Sequence, residues 1–372
     1  MRSLRVDLVL ESGGGGSGRH VLDLFDGLLR RGHDARLVLS MLRADSAFAE
    51  EVATLPPDRV IDLPMRRSVG PGDLGAGLAL RRISSGRDLI HAHSTKAGIV
   101  GAIASPGGLP MVLTPHAYRG MDDTLAGWKA AAIGLAERTL SAPYRRIIAV
   151  SPNELDYARD RLGIAPARLT YIPNGIDVAK WAALAMPKPP AGAPYTIGFV
   201  GRLADQKNPL AFVEVLACLV GAGEPVKATI VGDGPLLGDV KSLAADRDVA
   251  HRINFRGWVR GPETLEGIDV LVHTSNYESL PYGLLEAMAA GVPIAPVANA
   301  GTRLLLSGVY PNLPSPNAAE ALAEQILRLR HDVRYATATA EASARVVAGY
   351  SLDSMVDAIV DLYEQVMEAQ RA

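Results

Sequence analysis

Two glutamates separated by seven residues are the side chains whose spacing points most directly to ligand binding. Glu278 follows the apolar segment Val270–His273, and Glu286 lies in a helix that we predict over Leu284–Ala290. One carboxylate would therefore reach from a loop and the other from a helix at the carboxyl end of one strand, where open α/β sheets bind ligands. Carboxylates only accept hydrogen bonds, which suits a ligand rich in hydroxyl groups, such as a sugar with a ribose. Alternatively, acids simply favour a helix N-terminus.

Two cations follow an earlier strand in the same half of the chain. Arg202 and Lys207 lie between the predicted strand Tyr195–Val200 and a helix that we predict to begin at Pro209. Cations that meet near a helix N-terminus can clamp a diphosphate. The alternative is two ordinary surface cations on a loop.

The segment from Asn276 to Pro293 resembles the Glu-x7-Glu motif of the retaining family 4 glycosyltransferases. The resemblance runs from about residue 5 to residue 370 and is strongest over 198–293. It weakens after Val297, where residues 298–303 replace the common Gly-Gly-x-x-Glu. It implies a GT-B fold, an α/β class with two doubly wound Rossmann-like domains that face a cleft.

The resemblance also implies roles for the charged residues. Glu278 would hydrogen-bond the donor sugar, and Glu286 would hold the ribose of the nucleotide. Arg202 and Lys207 would neutralise the leaving nucleotide diphosphate in place of a metal ion, so we expect no metal and no cofactor. His116, in Thr114–Gly120, would contact the donor sugar near the reacting centre.

Further donor contacts are expected from loops that match the family. These candidates are Gly15, Gly16, Gly232, Asp233, Gly234, Arg256, Gly257, Trp258, Leu280, Gly283, Leu284 and Leu285. Asp233 has the alternative role of capping the next helix. Many members have a small glycine-rich turn after the first glutamate, and this chain has Pro281 there. Proline has no backbone N–H to donate to the sugar, so the identity of the donor sugar stays open.

Histidines follow two strands of the first half. His91 is the last residue of one predicted strand and His93 lies just after it, and His116 follows the next strand. A metal site is the alternative, but no suitably spaced third ligand is evident, and we expect a polar floor of the site instead. His93 and Lys96 are candidates on the acceptor side, since Ser94–Gly98 resembles members that build lipid-linked extracellular polysaccharides.

The length of 372 residues and the order of the elements favour two domains. Helical patterns, the first from His20 to Arg31, alternate with strands, which indicates doubly wound parallel sheets. We predict an acceptor domain over 1–184, a proline-rich linker over 185–194, a nucleotide-sugar domain over 195–350 and a terminal helix over 351–372 that packs back on the first domain. The predicted strands are 4–10, 35–39, 60–63, 89–91, 111–114, 146–150, 169–172, 195–200, 227–231, 252–255, 270–273 and 294–297.

Charge and composition bound the location and the partners. Residues 1–180 hold 23 Lys/Arg and 19 Asp/Glu, whereas residues 181–372 hold 15 and 21. The basic first half indicates either solvated helix ends or a surface for anionic lipid or a phosphorylated acceptor. No apolar run approaches the roughly 20 residues of a membrane span, and the N-terminus reads as a strand rather than a signal peptide. We expect a cytoplasmic protein at the inner face of a bacterial cell membrane, with peripheral contact to anionic lipid.

The resemblance to family 4, together with these features, implies a metal-independent, retaining hexosyltransferase of lipopolysaccharide or exopolysaccharide synthesis. Its donor would be a UDP- or GDP-linked sugar, and its acceptor a glycan or a polyprenyl-diphosphate-linked glycan. No nucleic-acid motif accompanies the basic clusters, so we exclude that partner. The alternatives are a sugar-nucleotide epimerase or a phosphorylase on the same fold, or a non-catalytic sugar-binding subunit.

Overall fold

The computed structural model describes residues 3–11, 13–66, 68–104, 108–121, 127–183, 194–259 and 261–371. Two compact units are present: Met1–Gly175 together with Leu352–Ala372, and Ile176–Ser351. All but the last residue of the predicted linker lies outside the described ranges, and the predicted domain limits stay predictions. Each unit is a parallel sheet flanked by helices, which confirms the predicted fold class of two Rossmann-like domains.

Within the described residues, the strands form one sheet in each unit, and all the strand pairs are parallel. In chain order the strands of the first unit are β1 Arg5–Leu10, β2 Asp34–Leu39, β3 Val60–Asp62, β4 Leu89–His93, β5 Met111–Thr114, β6 Arg146–Ala149 and β7 Leu169–Tyr171. Those of the second unit are β8 Tyr195–Val200, β9 Val226–Val231, β10 Ile253–Gly257, β11 Val270–His273 and β12 Ile294–Pro296. The spatial orders are β3-β2-β1-β4-β5-β6-β7 and β10-β9-β8-β11-β12.

The helices connect these strands, as parallel pairing requires. They are α1 Gly15–Arg30, α2 Ser46–Ala53, α3 Gly72–Ile83, α4 Thr95–Ala104, α5 Gly127–Ser141 and α6 Pro152–Asp156 in the first unit, α7 Val178–Ala182, α8 Pro209–Gly221, α9 Leu237–Asp246, α10 Tyr282–Ala289, α11 Ala300–Leu306, α12 Ala319–His331 and α13 Val333–Val347 in the second, and α14 Leu352–Arg371 in the first. No helix in the described part of the chain is both long and apolar enough to cross a bilayer.

The sheet of the first unit is covered on both faces, which explains its nearly continuous apolar strands. In β1, Leu8 faces a core shared with α1 and α14, whereas Val9 faces a core shared with α3 and α4. The terminal helix α14 packs on α1 because Gly27 leaves room for Val356, whose Cγ2 lies 2.6 Å from where a Cβ of Gly27 would be. The chain runs outward from β1 to β2 and β3 and then crosses back to β4 on the other side of β1, so the strand order reverses next to β1.

Helix α1 begins earlier than predicted. Its first residue is Gly15, and the prediction placed the start at His20. Glycine has a low helix propensity, so Gly15–Gly18 reads as a turn in the sequence. In the structure Gly18 is buried against Phe48, 3.0 Å from where its Cβ would lie, and this packing outweighs the propensity.

Candidate functional site

Three loops meet at the carboxyl ends of β8, β9 and β10, and glycines allow their close approach. A Cβ on Gly232, which has φ +132°, would lie 2.0 Å from the carbonyl oxygen of Gly201. One on Gly234 would lie 2.4 Å from the carbonyl oxygen of Leu203. The amide of Leu203 donates to the carbonyl of Asp233 at 2.9 Å. The loop that carries Arg202 is therefore fixed against the Gly-Asp-Gly turn by backbone alone.

Arg202 and Lys207 lie in this first loop but differ in their surroundings. The guanidinium of Arg202 is exposed and makes no hydrogen bond or ion pair with another described residue. The ammonium of Lys207 lies 2.5 Å from Oε1 of Glu278, which follows β11. The structure thus brings together one predicted phosphate ligand and one predicted sugar ligand, and leaves the second cation facing solvent.

Glu278 is a mostly buried carboxylate, with 9% of its side chain exposed. Burial alone would raise its pKa, but Lys207 and, to a smaller extent, His273 and Ser275 lower it below the usual value. His273, at the end of β11, has its Nε2 atom 3.9 Å from Oε1 of Glu278. Burial lowers the pKa of His273 to about 4, so its imidazole is neutral. His273 was not predicted as a site residue, because only its place at a strand end marks it in the sequence.

The loops that carry Lys207 and Glu278 are joined by hydrogen bonds to backbone carbonyls. The hydroxyl of Thr274 donates to the carbonyls of Lys207 and Asn208, each at 2.9 Å. The amide of Asn276 donates to the carbonyl of Gln206 at 2.8 Å. Asn208 itself has φ 48°, a left-handed conformation that asparagine tolerates, and caps α8. The ion pair therefore joins two loops that the backbone already holds.

Two residues of the segment that departs from the family pattern after Val297 hold the backbone around Glu278 by hydrogen bonds. Asn299 caps α11, and its side-chain amide donates to the carbonyl of Ser275 at 2.8 Å. The amide of Gly301 donates to the carbonyl of Glu278 at 2.9 Å, and a Cβ there would lie 2.9 Å from that of Glu278. Sequence reasoning did not find these two residues, whose role is visible only through contacts across the fold.

The predicted donor residues around α10 divide into packing and surface positions. Leu280, Leu284 and Leu285 are buried in the core of the second unit. Gly283 lies in the first turn of α10, where the amides have no carbonyl one turn earlier in the helix. Glu286 is half-buried in the second turn.

The remaining donor candidates of the second unit lie at the ends of β9 and β10. The carboxylate of Asp233 accepts a hydrogen bond from the amide of Gly234 at 2.7 Å, so it shapes the turn. Gly257 has φ +63°, and its carbonyl accepts from the amide of Gly232 at 2.7 Å. Arg256 donates to the carbonyl of Glu266 at 3.2 Å, and Trp258 is exposed.

In the first unit the glycine-rich turn after β1 leads into α1. Gly15 has φ +58°, and Gly16 follows it in the first turn of the helix. The closest approaches fall on the two preceding glycines. A Cβ on Gly14 would lie 2.2 Å from the carboxylate of Asp45, and one on Gly13 would lie 2.4 Å from the ring of Phe48.

Four histidines lie together where β4 and β5 end. Nδ1 of His93 lies 3.1 Å from Nε2 of His116. The ring of His20, from α1, stands edge-on to that of His116, with 4.7 Å between the centroids. Burial lowers the pKa of all four imidazoles, to about 4 for His20, so the cluster is uncharged at neutral pH. His91 bonds Thr114 at 2.7 Å and Tyr363 of α14 at 2.6 Å.

Three of these histidines are chemically able to hold a metal ion. One ring nitrogen each of His20, His93 and His116 lie within 4.8 Å of one another, and neutral imidazole is a ligand for zinc and related ions. The sequence did not indicate a third ligand because His20 comes from a distant helix. The expectation that the protein needs no metal stays a prediction.

The loop that carries His116 has an unusual backbone. His116 and Ala117 have φ values of 56° and 91°, and both are in the left-handed region. The carboxylate of Glu137, from α5, accepts hydrogen bonds from the amide of Arg119 at 2.8 Å and from the hydroxyl of Tyr157 at 3.0 Å. Burial raises the pKa of Glu137. Glu137 was not predicted, since nothing near it in sequence marks the contact.

Lys96, the other acceptor-side candidate, is buried in α4. Its ammonium lies 2.5 Å from the carboxylate of Asp73 and donates to the carbonyl of Ser68 at 2.9 Å. This ion pair joins α4 to the start of α3. The structure shows a packing role for Lys96, and its predicted role towards an acceptor stays a prediction.

Comparison with known families agrees with this arrangement along most of the chain. Residues 14–180 match the family described as Glycosyltransferase Family 4, and residues 194–332 match the family described as Glycosyl transferases group 1. Both units are therefore matched.

Individual relatives are glycosyltransferases. The chain is 27% identical over 293 residues to the UDP-Gal:alpha-D-GlcNAc-diphosphoundecaprenol alpha-1,3-galactosyltransferase of Escherichia coli, covering 74% of this chain and 75% of that protein. It is 28% identical over 342 residues to a GDP-mannose-dependent alpha-mannosyltransferase of Corynebacterium glutamicum, covering 83% and 76%. The crystal structure of Anabaena HepE in complex with UDP and glucose shares the fold, with a TM-score of 0.81 at 20% identity over 97% of this chain and 99% of that one. The chain belongs to glycosyltransferase family 4 and is a glycosyltransferase with the GT-B fold.

Proposed function

We propose that this glycosyltransferase works without a metal ion, retains the anomeric configuration and uses a UDP- or GDP-linked sugar as donor. Its acceptor is a glycan or a polyprenyl-diphosphate-linked glycan in the synthesis of a bacterial cell-surface polysaccharide. The printed names of two relatives support these classes, since one uses UDP-galactose with a diphosphoundecaprenol-linked acceptor and the other uses GDP-mannose.

The observation that carries the proposal is the position of Arg202, Lys207 and Glu278. Both cations follow β8 and precede α8, and Lys207 is paired with Glu278 after β11. We propose that Lys207 exchanges its bond to Glu278 for the diphosphate, and that Arg202 binds the same group. Two cations stabilise the negative charge that builds on the leaving diphosphate, which is the task a metal ion performs in other enzymes. Glu278 then accepts hydrogen bonds from hydroxyl groups of the sugar.

The proposed step breaks the bond between the anomeric carbon and the β-phosphate oxygen of the donor. A new bond forms between that carbon and an acceptor hydroxyl oxygen on the same face, so the configuration is retained. The electron pair of the broken bond stays on the diphosphate, which takes the proton of the acceptor hydroxyl. In the first unit, His116 is the side chain that we assign to the sugar, and His93 and Lys96 lie on the acceptor side.

The acceptor class implies a location. A polyprenyl-linked substrate is held in a bilayer, and nucleotide sugars are made in the cytoplasm. We therefore propose a cytoplasmic protein that acts at the inner face of the cell membrane with peripheral contact to anionic lipid.

Calorimetric titration with UDP and with GDP, each in the presence of EDTA, tests the donor site. The wild type should bind one of them, and Arg202→Ala/Lys207→Ala should lose that binding. Arg345→Ala removes an exposed cation from α13 of the same unit and should bind as the wild type does. Unchanged nucleotide binding by the double variant would show that Arg202 and Lys207 do not bind the diphosphate. Binding that appears only when a divalent metal replaces EDTA would sink the metal-independent mechanism.

The stereochemical outcome needs its own measurement. A proton NMR time course with the donor and a lipid-linked or soluble acceptor reports the coupling constant of the first anomeric proton formed. If the first product has the same anomeric configuration as the donor sugar, the reaction retains configuration. A first product of the opposite anomeric configuration would contradict the proposed step.

A further inference from the structure

The outer sides of α3 and α5 carry large apolar side chains that nothing in the described structure covers. Trp128 and Leu135 of α5 are 73% and 67% exposed, and Leu74 and Leu78 of α3 are 59% and 46% exposed. Scattered exposed hydrophobic residues are ordinary, but two large ones on each of two helices that pack on the same third helix indicate an interaction surface. Both helices pack against α4, on the same side of the seven-stranded sheet.

The charges on this surface are all of one sign. Arg81 and Arg82 of α3 and Lys129 and Arg138 of α5 are exposed, and they form no ion pair with another described residue. The acids of these two helices, Asp73 and Glu137, are buried and bonded inward, to Lys96 and to the loop of His116. The exposed sides of α3 and α5 therefore combine apolar groups with cations and present no carboxylate.

The opposite helical layer of the same unit has the reverse character. Helix α14 exposes the carboxylates Asp361 and Glu368, which form no ion pair with another described residue, whereas its exposed Asp353 and Asp357 both pair with Arg31. The helix lies on α1 across the sheet from α3 and α4. The first unit is thus electrically polarised, with its positive side on α3 and α5. Such a charge distribution orients a protein towards an anionic surface before contact.

We propose that the exposed side chains of Leu74, Leu78, Arg81, Arg82, Trp128 and Leu135, here called the α3–α5 face, dock onto an anionic lipid bilayer. The inference rests on the membrane location given under the proposed function and names the surface responsible. The indole of Trp128 suits the interface between head groups and acyl chains, and the leucines insert below it. The arginines bind lipid phosphates. A second copy of this chain fits poorly, because a symmetric contact would oppose like charges.

Vesicle flotation of the full chain tests the proposal. The wild type should float with vesicles of phosphatidylcholine and phosphatidylglycerol, and much less with phosphatidylcholine alone. Higher salt should weaken the binding, since it screens the arginines. Arg81→Glu/Arg82→Glu and Leu78→Ser/Trp128→Ser should each lower the partition coefficient by at least about tenfold.

Arg345→Glu and Val333→Ser are the matched controls, because both side chains are exposed on α13 of the other unit. They should float as the wild type does. Equal binding to both vesicle types, or binding that survives both double variants, would overturn the proposal. So would sedimentation showing a dimer that the same variants dissociate without any vesicle binding.

The nucleotide titration separates this inference from the proposed function. The α3–α5 variants should bind UDP or GDP as the wild type does, which also shows that they fold. If the wild type binds vesicles but no nucleotide, the docking surface is supported and the proposed donor site is contradicted. If it binds nucleotide but no vesicles, the donor site is supported and the docking surface is contradicted.

Discussion

Nζ of Lys207 lies 2.5 Å from Oε1 of Glu278, and the two residues come from loops after different strands of one sheet. Each neutralises the other while no ligand is bound, so an unpaired charge is not left near the core. A diphosphate that draws Lys207 away also frees Glu278 to accept hydrogen bonds from a sugar. The ion pair therefore couples the phosphate and sugar parts of one proposed site.

Glu278→Gln tests this coupling. The amide keeps the shape of the side chain but no longer pairs with the ammonium, so Lys207 is free to bind a phosphate. We expect nucleotide affinity to be unchanged or higher, and turnover, measured as release of nucleoside diphosphate, to fall by roughly 10²-fold or more. Glu341→Gln, an exposed carboxylate on α13, is the control. Weaker nucleotide binding with normal turnover would contradict the assignment.

Buried neutral histidines make the fold sensitive to acid. Burial lowers the pKa of His20 and His273 to about 4, and the unfolded chain titrates near 6.5. Between these values the unfolded state binds more protons, so the free energy of unfolding falls as the pH is lowered from about 6.5 to about 4. Each of the two histidines then costs roughly 3 kcal/mol of stability at pH 4.

Thermal unfolding between pH 7 and pH 5 measures the effect. We expect the wild-type Tm to fall over this range, and His273→Gln to show a smaller fall in the transition of the second unit. The glutamine removes a group that must take up a proton when the unit unfolds. An identical decrease in Tm for variant and wild type would show that His273 does not contribute.

The sequence predicted the strands well because each is a short apolar run that turns or charges interrupt. It also predicted Lys207 and Glu278 as ligands, but not their mutual pairing, since 71 positions separate them. Distance in the sequence also explains why three further residues were not predicted, namely His20, Asn299 and Gly301. Their roles depend on neighbours that only the folded chain supplies, and a helical histidine or a capping asparagine has no local pattern that marks a site.

Glu137→Ala tests how the loop of His116 is held. The change leaves the amide of Arg119 and the hydroxyl of Tyr157 without their acceptor, which should cost about 2–3 kcal/mol in the free energy of unfolding. Turnover should also fall at temperatures where the variant is still folded, because His116 lies in the same loop and would move with it. Tyr157→Phe removes a single hydrogen bond and should cost about 1 kcal/mol. Wild-type turnover and stability in Glu137→Ala would show that the loop holds its shape without this carboxylate.

Gly232→Ala should disrupt the loop of Arg202 through the backbone, without removing any side chain proposed to bind the donor. A Cβ at this position would lie 2.0 Å from the carbonyl oxygen of Gly201, and φ is +132°, so neither the space nor the conformation admits alanine. We expect a loss of roughly 2–3 kcal/mol in the free energy of unfolding and much weaker nucleotide binding. Gly238→Ala in α9 is the matched control, because nothing lies within 4 Å of its Cβ position, and it should be neutral or stabilising by up to about 1 kcal/mol. Equal stability and nucleotide affinity in both variants would show that the loop after β8 tolerates displacement, and the backbone contact would then not position Arg202.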